Sequence, residues 1–253
     1  VDLPIKNNYY VSEAQAPSNY FKNSNDIYSF EFRVMAEDQA TAKFTHTFKN
    51  DRTTAKIQIE KVDKESGKAV PQGDATLEGA VYGLYAREDI VHPDGATGVI
   101  YKKNALVAEL STDKNGKCEI DNLYLGKYFV KEITPSEGYL LDEEEHDVVC
   151  DYEGDTIPQV LRNAMSKEQV IKQPFQLIKV SDDGKETEAA LLKGAGFTAY
   201  LKSTLKTKTD GSYDFGKATP VVIGNDGATT IYTDEKGYAV SIPIPYGTYV
   251  VIE

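Results

Sequence analysis

Three runs along the chain alternate apolar or aromatic residues with polar ones, and each closes on a glutamate. They read Asn7-Asn-Tyr-Tyr-Val-Ser-Glu13, Gly126-Lys-Tyr-Phe-Val-Lys-Glu132 and Gly247-Thr-Tyr-Val-Val-Ile-Glu253. Successive side chains of a strand point to opposite faces. Tyr128, Val130 and Glu132 therefore share a face, as do Tyr9, Val11 and Glu13, and Tyr249, Val251 and Glu253. If these faces form cores, each core takes in a carboxyl group that burial holds protonated.

The same period-two reading extends to the strands around them. In Lys56-Ile-Gln-Ile-Glu-Lys-Val62 it puts Ile57, Ile59 and Lys61 on one face, and in Phe175-Gln-Leu-Ile-Lys179 it groups Phe175, Leu177 and Lys179. Toward the ends of two further runs it places Asn163 beside Leu161 and Asn50 beside Phe48. A lysine, a glutamate and an asparagine are thus expected to point inward together.

Self-similarity sets the organisation. Gly79-Ala-Val-Tyr-Gly-Leu-Tyr85 returns as Gly194-Ala-Gly-Phe-Thr-Ala-Tyr200, and Thr112-Asp-Lys-Asn-Gly116 returns as Thr233-Asp-Glu-Lys-Gly237. The chain reads as an array: the closing part of one unit over 1–51, a complete unit over 53–165 and the opening part of a third over 172–253. Strand-like runs at 29–34 and 43–50 belong to the first. The stretch 164–174 is short and polar without being rich in Gly or Ser, which predicts limited flexing between the second and third units.

Composition supports an all-β protein, with 17 Tyr, no Trp and many Val, Ile and Thr between Gly, Asp and Asn clusters. The net charge of -12 and the scattered basic residues argue against a nucleic-acid partner. No apolar run approaches the length of a membrane span. Cys118 and Cys150 fall in the same unit on different strands; a disulfide and two separate core thiols are both open, the thiols being favoured.

Lys61 precedes Glu132 by 71 positions and Lys179 precedes Glu253 by 74, while Asn163 follows Glu132 by 31 and Asn50 follows Glu13 by 37. One order recurs at similar spacing. Together with Lys61-Val-Asp63, Ser66-Gly-Lys68, the Gly79–Tyr85 run, Asn122-Leu-Tyr-Leu-Gly-Lys-Tyr128 and the box from Tyr128 through Glu132 and Pro135 to Tyr139, these residues resemble the Cna B-type or SpaA-like prealbumin-like domains of Gram-positive pilins and surface adhesins. The box recurs from Tyr9 to Tyr20 with Glu13 and Pro17.

The resemblance implies tandem Greek-key β-sandwiches, one complete and two partial. It also implies a spontaneous intramolecular isopeptide bond in each complete unit. Carried over, Lys61 is the nucleophile, Asn163 the electrophile and Glu132 the proton-transfer catalyst; Glu13 and Asn50, and Lys179 and Glu253, are partial triads. The expected role is a sortase-anchored stalk on the cell wall, outside the cell, whose partners are neighbouring domains or subunits. The sequence holds neither a Leu-Pro-x-Thr-Gly signal nor a Tyr-Pro-Lys motif, so shaft and single-chain stalk both stay open. The alternative is a module gripping a host matrix or cell-surface ligand through the long loops 87–103 and 203–219.

A turnover enzyme finds little support. His46, His92 and His146 are scattered, without HExxH, Cys/His ligand spacing or a serine elbow. The turn 112–116 begins like a calcium loop but lacks its later acidic ligands. No cofactor and no metal are expected.

Overall fold

The computed structural model describes residues 8–31, 43–181 and 191–253. Asn7, residues 32–34 of the run 29–34, and residues 182–190 lie outside them. Apart from two short 3-10 turns, every regular element described is a strand.

In the first part, β1 (Asn8–Ser12) and β2 (Ile27–Glu31) pair antiparallel. The stretch 43–50 is not a strand. Its alternate Phe44 and His46 stack on Phe30 and Tyr28, so the period-two face is present without a ladder.

Residues 54–168 carry the largest core. Its strands are β3 (Thr54–Asp63), β4 (Val81–Ala86), a small hairpin of β5 (Ile90–Val91) and β6 (Val99–Tyr101), β7 (Leu106–Ser111), β8 (Lys117–Leu123), β9 (Gly126–Thr134), β10 (Glu145–Cys150) and β11 (Gln159–Glu168). One sheet runs β10-β9-β4-β7 and the other β11-β3-β8. Ile57 and Ile59 of β3, Tyr82 and Leu84 of β4, and Tyr128 and Val130 of β9 meet between the sheets. That is the two-layer packing that alternating strands require. The first and last strands are neighbours and run parallel, with Lys61 opposite Ser166 and Asp63 opposite Glu168.

The polar stretch expected to begin at Ala164 is, up to Glu168, the second half of β11. Small Ala164 and Ser166 hide its inward face from a hydrophobicity reading, but both are buried. Cys118 and Cys150 are separate free thiols on opposite sheets.

A second core gathers Ala199, Ile223, Ile231, Ala239 and Ile244. Around it lie β12 (Lys172–Gln173), β13 (Gln176–Ile178), β14 (Gly196–Leu201), β15 (Lys206–Thr207), β16 (Tyr213–Asp214), β17 (Thr230–Tyr232), β18 (Tyr238–Val240), β19 (Ile244–Pro245) and β20 (Tyr249–Ile252). β14 pairs with β17 and β20, and β13 with β18.

Candidate functional site

Lys61 sits near the end of β3 with its side chain wholly enclosed between the sheets. The backbone that aims it is fixed by the turn after β7, where Lys61 N–H donates to Gly116 O at 2.8 Å. Gly116 must be glycine, because φ is +74° and a Cβ would stand 2.7 Å from Lys61 O. Glu132, from β9 of the facing sheet, is 3% exposed and places Oε1 3.5 Å from Lys61 Nζ. Its Oε2 accepts the Asp142 N–H at 2.8 Å. The Tyr139 ring lies 4.6 Å from the amine.

Asn163 is not part of this arrangement. It is exposed, pairs with Gln58 in the ladder, and lines a hollow on the outer face with Glu119 and Met165. The expectation that it supplies the electrophile is therefore corrected. Leu161, which suggested the inward parity, is 52% exposed, and a one-residue parity error turns every side chain of a strand to the other face.

The residue that meets Lys61 is Glu168. It is 1% exposed, and its Oε2 is in direct contact with Lys61 Nζ. Oε1 accepts a hydrogen bond from Tyr82 Oη at 2.5 Å and one from Ser166 Oγ at 3.2 Å. Ser166 Oγ also lies 2.9 Å from Asp142 Oδ2, which the His146 ring contacts at 2.9 Å. A signal for Glu168 was present in the repeat. It stands eleven positions before Lys179, as Asn50 stands eleven before Lys61, and it follows Glu132 by 36 positions where Asn50 follows Glu13 by 37.

Burial dominates the electrostatics. Loss of hydration lowers the Lys61 ammonium to about 8, against the opposing pull of the Glu132 carboxylate. The same loss raises the Glu132 carboxyl, which the Asp142 N–H and the lysine partly offset. Burial thus disfavours the charged form of both groups.

The flanking pairs are drier on paper than in space. Glu13 is half-buried and accepts the Asn50 side-chain N–H at 2.6 Å, leaving its Oε2 buried without a hydrogen-bond donor. Glu253 is exposed and meets Lys179 Nζ at 2.6 Å. Among the described residues no group of three or more His, Cys, Asp or Glu side chains could hold a metal ion.

The fold around this site is a two-sheet prealbumin-like sandwich. Residues 55–165 match the family model of the SpaA prealbumin-like fold domain, and the middle unit is a domain of that type. Among solved structures, the Bacillus anthracis TIE protein matches with a TM-score of 0.57 at 20% identity, over 97% of this chain and 36% of that one. The chain thus spans about a third of that protein, and the likeness is one of fold. A streptococcal ancillary pilin matches at 23% identity over 98% of this chain and 66% of its own, with a TM-score of 0.32. The shaft pilin SpaA of Lactobacillus rhamnosus GG matches at 16% identity over 79% and 86%, with a TM-score of 0.30. A comparison with curated proteins gives no match.

Proposed function

We propose that the chain is a load-bearing stalk segment of a Gram-positive surface pilin or adhesin, built from tandem SpaA-like units. The observation that carries this reading is the placement of Lys61. It fastens β3, where the chain enters the middle unit, to β11, where the chain leaves it. Because these two strands are parallel neighbours, tension applied through the chain shears all their ladder hydrogen bonds at once. The Lys61–Glu168 contact lies across the same seam, inside the core and away from water.

The loops proposed as ligand-binding surfaces fold back on themselves. Asp94 holds Thr97 and Ala96, and Lys208 N–H closes on Ser212 O. Nothing in their geometry favours a host ligand over a decorative role, so the stalk reading stands alone.

Single-molecule pulling on the full chain between terminal handles tests it. The middle unit is expected to outlast the unit built around the second core. If the middle unit yields first and at low force, the stalk reading is wrong.

A further inference from the structure

Inside the middle unit, three ionisable side chains, Lys61, Glu132 and Glu168, share a space closed to water. As ions they would be one cation and two anions, an arrangement whose desolvation cost exceeds what a single pairing returns. Among the described residues no hydroxyl or backbone N–H reaches Glu168 Oε2; its neighbour is the lysine nitrogen. Both hydroxyl contacts, from Tyr82 and Ser166, fall on Oε1. The two oxygens of this carboxyl are therefore chemically distinct, one held by donors and one facing an amine.

We propose that Lys61 Nζ and Glu168 Cδ become joined in an amide, with water as the leaving group and Glu132 as the proton carrier. The inference rests on the stalk reading for its purpose, but on the geometry alone for its chemistry. It differs from the carboxamide chemistry implied for Asn163, which would release ammonia.

The step balances without an outside reagent. The proton of the Lys61–Glu168 ion pair passes to the carboxyl, leaving a neutral amine and a carboxylic acid. The nitrogen lone pair attacks Cδ, and the developing charge collects on Oε1, where Tyr82 Oη donates and the Ser166 hydroxyl, shared with Asp142 Oδ2, lies 3.2 Å away. Glu132 Oε1, 3.5 Å from the nitrogen, takes an amine proton and returns it to the leaving oxygen. The Cδ–Oε2 bond breaks, the oxygen departs as water, and Glu132 recovers its starting state. Nothing is oxidised or reduced. Two of the three buried charges vanish, while the fixed juxtaposition supplies the effective concentration that a condensation in water lacks.

The flanking repeat supports the position independently. Glu13 and Asn50 hold the equivalent places at hydrogen-bonding distance, so residue 168 occupies the place of a carboxamide bearer, with one more methylene and a hydroxyl-type leaving group.

Intact-mass measurement of the unfolded full chain decides the matter. The expected mass is below that of the sequence by one water, about 18 Da, and digestion yields a branched peptide joining Lys61 to Glu168. Glu168→Gln is expected to change the loss to one ammonia, about 17 Da, at the same pair, and Lys61→Met to restore the full mass. A native chain of full mass overturns the amide. So does a loss of ammonia mapped to an asparagine, or a loss of water mapped elsewhere, such as Asp94–Gly95. If Glu168→Gln does not fold, the native mass and its branched peptide still decide. A full-mass chain whose middle unit nevertheless outlasts its neighbour under force would remove the amide and leave the stalk reading in place.

Discussion

At the scale of single residues, the site depends on how few polar contacts serve a completely buried carboxyl. Tyr82 and Ser166 are the two hydroxyls on Glu168 Oε1. Tyr82→Phe keeps the ring that fills the core and removes one of them, so the cost is that of a buried acceptor losing a partner, about 1–3 kcal/mol. Urea unfolding should show this as a lower midpoint with an unchanged slope. Glu132→Gln keeps shape and burial but cannot carry a proton between nitrogen and oxygen. Time-resolved mass measurement on freshly refolded chain should then show water loss slowed by about 100-fold or more, the usual size of a general acid–base contribution. Lys61 and Glu132 were legible in the sequence because each sits among large apolar neighbours of unmistakable parity: Ile57 and Ile59 for the one, Tyr128 and Val130 for the other. Glu168 was hidden because its inward neighbours, Ala164 and Ser166, carry no hydrophobic signal, while outward Leu161 and Met165 carry a false one.

At the scale of elements, the most informative repeat is the turn that holds the lysine strand. In the middle unit Thr112 Oγ1 donates to Leu77 O and accepts from Ala80 N–H, while Asp113 Oδ1 accepts from Asn115 and Lys117. In the last unit Thr233 and Asp234 make the equivalent bonds to Leu192, Ala195, Lys236 and Tyr238. Each turn then presents a glycine carbonyl to the lysine backbone, Gly116 to Lys61 and Gly237 to Lys179, both at 2.8 Å. Asp113 and Asp234 spend their carboxylates on this backbone, which accounts for the resemblance to the start of a calcium loop. The sequence showed the turn but not its purpose, since the contact with the lysine strand joins residues far apart in the chain. Gly116→Ala forces a side chain into a left-handed backbone and against Lys61 O. It should cost about 1–3 kcal/mol in thermal or chemical unfolding and delay the loss of water, because the amine is no longer aimed.

For the whole molecule, an array of units is only as stiff as the joints between them. The expectation of limited flexing rested on the composition of 164–174, and the structure supplies a stronger reason. Between the first and middle units, Ala16 and Lys22 N–H groups donate to Asp155, Thr53 N–H to Asn19 O, and Arg52 reaches Leu123 O while lying over the Tyr124 ring. Between the middle and last units, Asp74 N–H donates to Tyr246 O, and the Asp74 carboxylate accepts from Ser203 and Thr248. Tyr246 Oη reaches Glu137 at 2.7 Å, and Gly73 and Gly138 leave room for Tyr246, where any Cβ would collide. Glu65 adds an ionic tie, meeting Lys172 at 2.5 Å, with Gln72 and Gln169 on the same carboxylate. Those contacts, the Lys172 hydrogen bond first, lower the Glu65 carboxyl from 4.5 to about 2. A depressed folded-state value means the tie is complete above pH 4.5 and is lost as the pH falls toward 2. Distances between spin labels on the middle and last units should therefore be narrowly distributed at neutral pH and broaden below about pH 3, with Glu65→Gln broadening them at neutral pH. Because Glu65 is largely exposed, the ionic tie alone is worth little. Gly138→Ala, which drives a methyl group against both Ala75 and the Tyr246 ring, should broaden the distribution further than either. Should neither acid nor Glu65→Gln change the spread while Gly138→Ala does, the joint is held by backbone fit and the ionic tie is incidental. If none of the three changes it, these contacts do not set the stiffness of the joint.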